Sequence, residues 1–267
     1  MRFVVVPLLF VLLFAGPGAF APVPGERDDR DDVTDVTIAT ANQRASGTFV
    51  LPLRRHAVTP SRLFGGQAYG QSTAELSLNA QLLTGARSGD EAMVRRALEA
   101  GAAPNSRNRA GDTALMIFIR KGNVPMVDLL LGKGADVNLC NLDKVSPLMT
   151  AAYHGHAGIA RALLDRGADV AAEDQLFKTP MVYAAGQGQS EIVGMLLEAG
   201  VDVNKLYKND LTALMWAAGY GKADTVTQLL VKGADPNLKD NRGKTARQIA
   251  LDAGQVAAVA VLDASGK

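Results

Sequence analysis

One phrase recurs five times in this chain at a fixed step of 33 residues: Gly101-Ala-Ala-Pro-Asn105, Gly134-Ala-Asp-Val-Asn138, Gly167-Ala-Asp-Val-Ala171, Gly200-Val-Asp-Val-Asn204 and Gly233-Ala-Asp-Pro-Asn237. A second phrase keeps the same step: Thr113-Ala-Leu-Met116, Ser146-Pro-Leu-Met149, Thr179-Pro-Met-Val182, Thr212-Ala-Leu-Met215 and Thr245-Ala-Arg-Gln248. A fixed period of this length makes the chain a stack of equal supersecondary units, each dependent on its neighbours.

The residues from Ser146 to Lys178 show what one unit is. Ser146 offers an oxygen to the free N–H groups of a helix start, and Pro147 fits the first helical position because its missing donor had no partner there. Leu148, Ala151 and Ala152 form a slim apolar stripe, and Gly155 ends the helix in the left-handed conformation that a residue without Cβ adopts cheaply. Ile159, Ala162, Leu163 and Leu164 then recur at helical spacing, Gly167 ends the second helix, and an extended finger returns. The same apolar seam reappears as Val127, Leu130 and Leu131, as Ile192, Val193, Leu196 and Leu197, and as Val226, Leu229 and Leu230. A seam this thin cannot be buried by one unit, so neighbours must stack.

These two phrases, the Ala-Ala followed by Gly, and the 33-residue step resemble the ankyrin repeat over roughly Glu75 to Leu262, about six units. The resemblance implies an all-α ankyrin-repeat solenoid of helix-turn-helix units with finger loops. The first unit lacks the Thr-Pro start and the last has Asp263 in place of the second leucine, so both read as caps with a wetted outer face. The fourth residue of the start phrase is commonly histidine in that family and bonds the threonine across the turn. Here it is Met116, Met149, Val182, Met215 and Gln248, so thioether and methyl packing is expected instead. The Thr-Ala-Leu-Met spelling resembles bacterial members.

Ahead of the repeats the chain changes twice. Met1-Arg2 followed by an apolar run from Phe3 to Phe14 has the layout of a secretory signal and is short for a membrane span. Residues 1–21 are therefore assigned to a signal peptide of the general secretory route. Cleavage after Ala21 leaves Pro22 at the new terminus, which signal peptidases disfavour, so cleavage near Gly18 and retention as an inner-membrane tether both stay open. Residues 22–74 are scattered in Pro, Gly, Ser, Thr and charge without a period and read as a disordered linker. Its acidic knot, Glu26 to Asp32, lacks the alternating ligands and turn glycine of a Ca²⁺ loop. The repeat domain is assigned to residues 75–267, and the product is expected in the periplasm or secreted.

Charge and composition exclude several functions. The chain is nearly neutral, at +1, and residues 76–267 hold 21 Lys or Arg against 20 Asp or Glu, which argues against nucleic acid as the partner. Cys140 is the one cysteine, so neither an internal disulfide nor a cysteine zinc site can form. Three histidines and no nucleophile beside a base leave nothing to recommend an enzyme, a cofactor or a small-molecule substrate. His154-Gly-His156 with Asp143 is a poor metal site, because two histidines straddling a helix-ending glycine are expected to point apart.

The resemblance implies that fingers and first helices line a concave groove and that a protein lies in it. The groove positions read from the sequence as partner-binding are Arg107, Arg109, Arg120 and Lys121, then Leu142, Tyr153 and His154, then Leu176 and Phe177, and last Leu206, Tyr207 and Tyr220. Phe177, Tyr207, Tyr153 and Tyr220 are expected to anchor the partner, while Arg107, Arg120 and Lys121 steer an acidic part of it. Trp216 is expected in the core or on the groove floor. The middle fingers place Lys144, Phe177 and Asp210 where the outer ones keep Gly111 and Gly243, which costs on the order of 1 kcal/mol each if φ is positive there. The function expected is a monomeric protein-binding module of the bacterial envelope. The alternatives are a protector or inhibitor of a periplasmic or secreted enzyme, such as a catalase or a toxin, and an envelope scaffold.

Overall fold

The computed structural model describes residues 73–265; the segments read as signal peptide and linker fall outside them except for the last two linker residues, which already belong to a helix. Twelve α-helices follow in pairs among the described residues: α1 Thr73–Ser88, α2 Glu91–Glu99, α3 Ala114–Arg120, α4 Val124–Gly132, α5 Pro147–His154, α6 Ala157–Leu164, α7 Pro180–Gln187, α8 Ser190–Glu198, α9 Ala213–Gly219, α10 Ala223–Val231, α11 Ala246–Asp252 and α12 Val256–Ser265. First helices pack on first helices along the series α1, α3, α5, α7, α9, α11, and from α4 onward second helices pack on second helices. The result is a two-layered stack with an extended finger between successive pairs, as the 33-residue step requires.

Each first helix starts as its sequence dictates. The hydroxyl of Thr113, Ser146, Thr179, Thr212 or Thr245 accepts the backbone N–H three residues on. The reciprocal bond takes two forms. Gln248 Oε1 accepts the Thr245 N–H at 2.9 Å. At Ser146 and Thr212 the thioether sulfurs of Met149 and Met215 sit in that role at 3.4 and 3.5 Å. Methionine therefore does more than fill space at the turn: its sulfur is a weak acceptor for the capping N–H.

Most of the seam expected from the sequence is the core, with Ala162, Leu164, Leu197 and Leu230 half-buried at its edge. Val127, Leu130, Ile159, Leu163, Ile192, Val193, Leu196, Val226 and Leu229 are almost wholly buried, together with the short side chains of α5, α7 and α9. At ~1.5–3 kcal/mol for each large aliphatic removed from water, this burial is the main force holding units together. At the C-terminal end Leu262 is buried while Asp263 is exposed and paired with Arg247, the wetted cap that the sequence suggested.

Two ladders of hydrogen bonds register the units outside the core. In the first, an asparagine spans from one unit to the next: Asn138 Oδ1 accepts the Asp169 N–H at 2.8 Å while its Nδ2 donates to the Gly167 carbonyl at 3.1 Å. Asn105 does the same to Asp136 and Gly134, and Asn204 to Asp235 and Gly233. The second joins finger to finger, with Leu142 N–H donating to the Ala110 carbonyl, Gln175 N–H to Asp143 and Asn241 N–H to Asn209. Among the described residues both ladders skip the same junction, between the third and fourth fingers. Ala171 stands where the asparagine belongs, and the equivalent Lys208–Leu176 backbone pair does not form.

The ladder has a measurable consequence. Asn138→Ala removes two bonds and is expected to cost about 1–2 kcal/mol in urea unfolding, whereas Ala171→Asn restores the missing rung and is expected to add about 1 kcal/mol. Equal and negligible effects from both substitutions contradict this role.

Candidate functional site

Four of the five fingers are closed by one side chain each. Asn108, Asn141, Asp174 and Asp240, spaced on the 33-residue grid with one position skipped, each accept two backbone N–H groups of their own finger. Asp174 Oδ1, for example, takes the N–H groups of Leu176 and Lys178, both at 2.8 Å. This is an Asx-type turn closed twice. Tyr207 occupies the skipped position and cannot accept in that way. The fourth finger tightens instead into a 3-10 turn over Lys208–Asp210, with φ of 63° and 58° at Asn209 and Asp210.

The tips of the middle fingers carry the strain expected of them. Lys144 has φ 60° and Phe177 φ 63°, against 82° and 76° for Gly111 and Gly243 at the outer tips. Phe177 is 54% exposed and Lys208 Nζ lies 4.8 Å from its ring centroid. Leu142 and Leu206 are likewise exposed, on the second and fourth fingers.

Behind the tips lies a layer of aromatic rings. Tyr183 on α7 is buried and donates its hydroxyl proton to Asp174 Oδ2. Tyr153 stands edge-on to it with centroids 6.1 Å apart. Trp216 on α9 is buried and stacks at 6.1 Å on Tyr220, whose ring covers Gly186. Lys178 runs inward from the third finger and holds its ammonium 5.7 Å from both the Tyr183 and the Trp216 centroids. Burial pulls this ammonium below the usual lysine range; Asp174 works against that and Lys208 adds to it. The rings themselves supply part of the charge stabilisation that water no longer gives.

The residues read from the sequence as partner-binding divide into three groups. Phe177, Leu142, Leu206, Arg107 and Arg109 face solvent along the finger edge, and His154 is exposed at the end of α5. Tyr153, Leu176 and Tyr220 are half-buried, and Tyr207 is half-buried with its hydroxyl enclosed beside Thr179. Of the four aromatic residues, Phe177 is displayed to solvent, while the three tyrosines are half-buried against neighbouring side chains. Arg120 and Lys121 differ further. Arg120 pairs with Asp112 at 2.5 Å. Lys121 donates to the carbonyls of Ala86 and Arg87, capping the C-terminus of α1, a position where a cation is favoured by the orphan carbonyls. Arg120 is thus half-buried in its ion pair, and Lys121 is exposed with its ammonium bonded to the end of α1.

The two histidines also sit otherwise than expected. Their rings are parallel, 5.9 Å apart, and His156 Nε2 comes within 3.5 Å of the Arg120 carbonyl. Among the described residues no three His, Cys, Asp or Glu side chains converge as a metal site would require. Cys140 is half-buried, with its thiol 3.4 Å from the Asn138 carbonyl; burial pushes that thiol up against the opposing pull of Arg107, which disfavours the reactive thiolate. Sequence reasoning passed over Asp174, although the grid Asn108, Asn141, Asp174, Asp240 marks it. The inward course of Lys178 had no such signal, since Val145 and Leu211 hold the equivalent position.

Burial lifts the phenols of Tyr207 and Tyr220 to about 12 and that of Tyr183 higher still, the last also through its bond to Asp174. A phenol whose folded pKa is raised lends its full stability below the unfolded value of about 10 and loses it as pH climbs through the folded value. Stability is therefore expected to fall between about pH 10 and pH 12, with these tyrosines ionising only as the fold opens. Spectrophotometric titration near 295 nm checks this; free ionisation of all tyrosines at pH 10 in the folded protein contradicts it.

The family described as Ankyrin repeats (3 copies) matches residues 82–174 and again 181–266. A comparison with curated proteins finds no match. With helix pairs, finger turns and capping hydroxyls all repeating on the 33-residue grid, and with the matched stretches covering most of the chain, this protein belongs to the ankyrin-repeat family.

Proposed function

We propose that this chain is an exported protein of the bacterial envelope that holds another protein on its finger face and performs no catalysis. Ankyrin repeats are generally protein–protein interaction modules, and the family is typically non-enzymatic. The observation that carries the reading is the tip of the third finger. A bulky ring is kept exposed there in a backbone conformation that glycine occupies at the outer tips, with exposed leucines on the fingers to either side. Strain of about 1 kcal/mol and a wet aromatic ring both work against stability, and such features persist where binding requires them.

Export rests on the N-terminal sequence: a single arginine, a dozen apolar residues and then small ones. In this reading residues 22–72 space the repeats from the point of export, and partners are met outside the cytoplasm. Fractionation of cells with mass determination of the mature N-terminus tests this half; an intact Met1 in a cytoplasmic pool rejects it.

The binding half is tested by Phe177→Gly. Glycine relieves the left-handed strain but adds unfolded-chain entropy and loses the ring's contact with Lys208, so stability is expected to change by less than about 1 kcal/mol. Co-purification of the partner from envelope extract is expected to drop at least tenfold, the loss of one central hot-spot contact worth about 1.4 kcal/mol or more. A stably folded variant that retains its partner rejects the finger face as the site.

A further inference from the structure

The junctions between the first and second, second and third, and fourth and fifth fingers are each tied twice, by an asparagine rung and by a backbone bond from finger to finger. Between the third and fourth fingers neither tie forms among the described residues. Ala171 has no amide to span with, and the fourth finger has tightened into its turn over Lys208–Asp210. Asn209 and Asp210 there are the only consecutive non-glycine residues with positive φ among the described residues. What crosses between these two fingers is side chain alone: the Lys208 ammonium over the Phe177 ring, and the Tyr207 hydroxyl beside Thr179.

The layer of second helices is altered at the same junction. Thr225 on α10 is wholly buried at the grid position that Met126, Ile159 and Ile192 hold in the three preceding units, and its hydroxyl meets that of Ser190 on α8 at 2.8 Å. Gln228 stands where Leu129, Ala162 and Met195 do, and its Nε2 lies 3.0 Å from where a Cβ on Gly194 would be. The Oε1 of Gln228 is buried without a hydrogen-bond partner. Polar atoms thus replace aliphatic ones where α8 meets α10, and one of them is unsatisfied. A buried orphan acceptor is costly, and water satisfies it as soon as the interface parts. Opening here breaks no rung, exposes less apolar surface than at the other junctions and hydrates an orphan oxygen. The first helices between these two loosened layers remain packed, with Ala184 and Ala185 of α7 and Ala217 and Ala218 of α9 wholly buried.

We propose that the array is hinged at this junction: residues 73–201 and residues 202–265 form two stiff blocks that rock about the packed α7 and α9, because the ties on both sides of that pivot are missing or weakened. Within each block the rungs hold the fingers at a fixed interval. Across the hinge the interval varies, and rocking breaks and remakes the contact between Phe177 on one block and Lys208 on the other. In the finger-face reading above, a partner that spans the third and fourth fingers selects one hinge angle.

The test measures distance distributions by pulsed electron paramagnetic resonance on the full chain, with Cys140→Ser and spin labels at equivalent exposed finger positions. Arg107→Cys with Glu173→Cys spans the first to the third finger, and Glu173→Cys with Lys239→Cys spans the third to the fifth. Both pairs cross two junctions, and only the second pair crosses the untied one. The third-to-fifth distribution is expected to be about twice as broad as the first-to-third. Ala171→Asn supplies the missing rung and Gln228→Met removes the orphan oxygen, and each is expected to narrow the third-to-fifth distribution. Asn138→Ala, which cuts a rung inside the first block, is expected to broaden the first-to-third one. The thermal transition of each labelled protein serves as the folding control. Equal widths for the two pairs, or a broader first-to-third pair, overturn the hinge. A broad third-to-fifth distribution that neither Ala171→Asn nor Gln228→Met narrows in a folded protein overturns it as well.

Discussion

The structure depends on burial of one thin apolar seam between successive helix pairs. Each unit contributes only two or three large side chains from its second helix and a stripe of alanines from its first, too little to offset the conformational entropy of about thirty ordered residues. Neighbouring units close the seam from both sides, so Leu130, Leu163, Leu196 and Leu229 are each removed from water by a stack that no single pair could form. The small residues of α5, α7 and α9 matter as much as the large ones. Ala151, Ala152, Ala184, Ala185, Ala217 and Ala218 are all wholly buried, which lets the first helices approach and carries the fingers at a regular spacing.

Regular spacing is what makes the finger face usable. A finger closed on its own asparagine or aspartate presents its tip in a defined place, and the bond to the next finger fixes the interval. The junction between the third and fourth fingers breaks this pattern. There Ala171 removes one rung, Tyr207 removes the turn acceptor, and the neighbouring contacts are made by side chains: Lys208 on Phe177, Lys178 between Tyr183 and Trp216, and the Ser190 and Thr225 hydroxyls 2.8 Å apart behind them. The junction richest in aromatic and cationic side chains is thus the one with the fewest backbone bonds. Exposed Phe177 lies on it, which places the proposed anchor point where the stack is joined most by side chains that a partner can also touch.

The sequence revealed the architecture almost completely, because helix starts and stops are local. A hydroxyl that caps three residues on, a proline at the first helical position and a glycine with positive φ act within one turn, and each recurs on the grid. The strained finger tips were legible for the same reason, since Gly111 and Gly243 mark the conformation that Lys144 and Phe177 must share. What was not legible lies between units. Lys121 reads as a free cation until α1, some 34 residues earlier, supplies the carbonyls that hold it. Tyr207 reads as an exposed ring until the neighbouring unit encloses its hydroxyl. The stacking of His154 on His156 follows from the turn at Gly155, which parallel rings accommodate and which residue spacing alone does not show.

The most direct test of this account is circular dichroism of one excised unit, residues 146–178, beside the full repeat array under the same conditions. If stacking supplies the stability, the single unit is expected to show no cooperative helical transition while the array unfolds cooperatively. A single unit that is helical and melts cooperatively by itself contradicts the claim that neighbouring units hold the fold together.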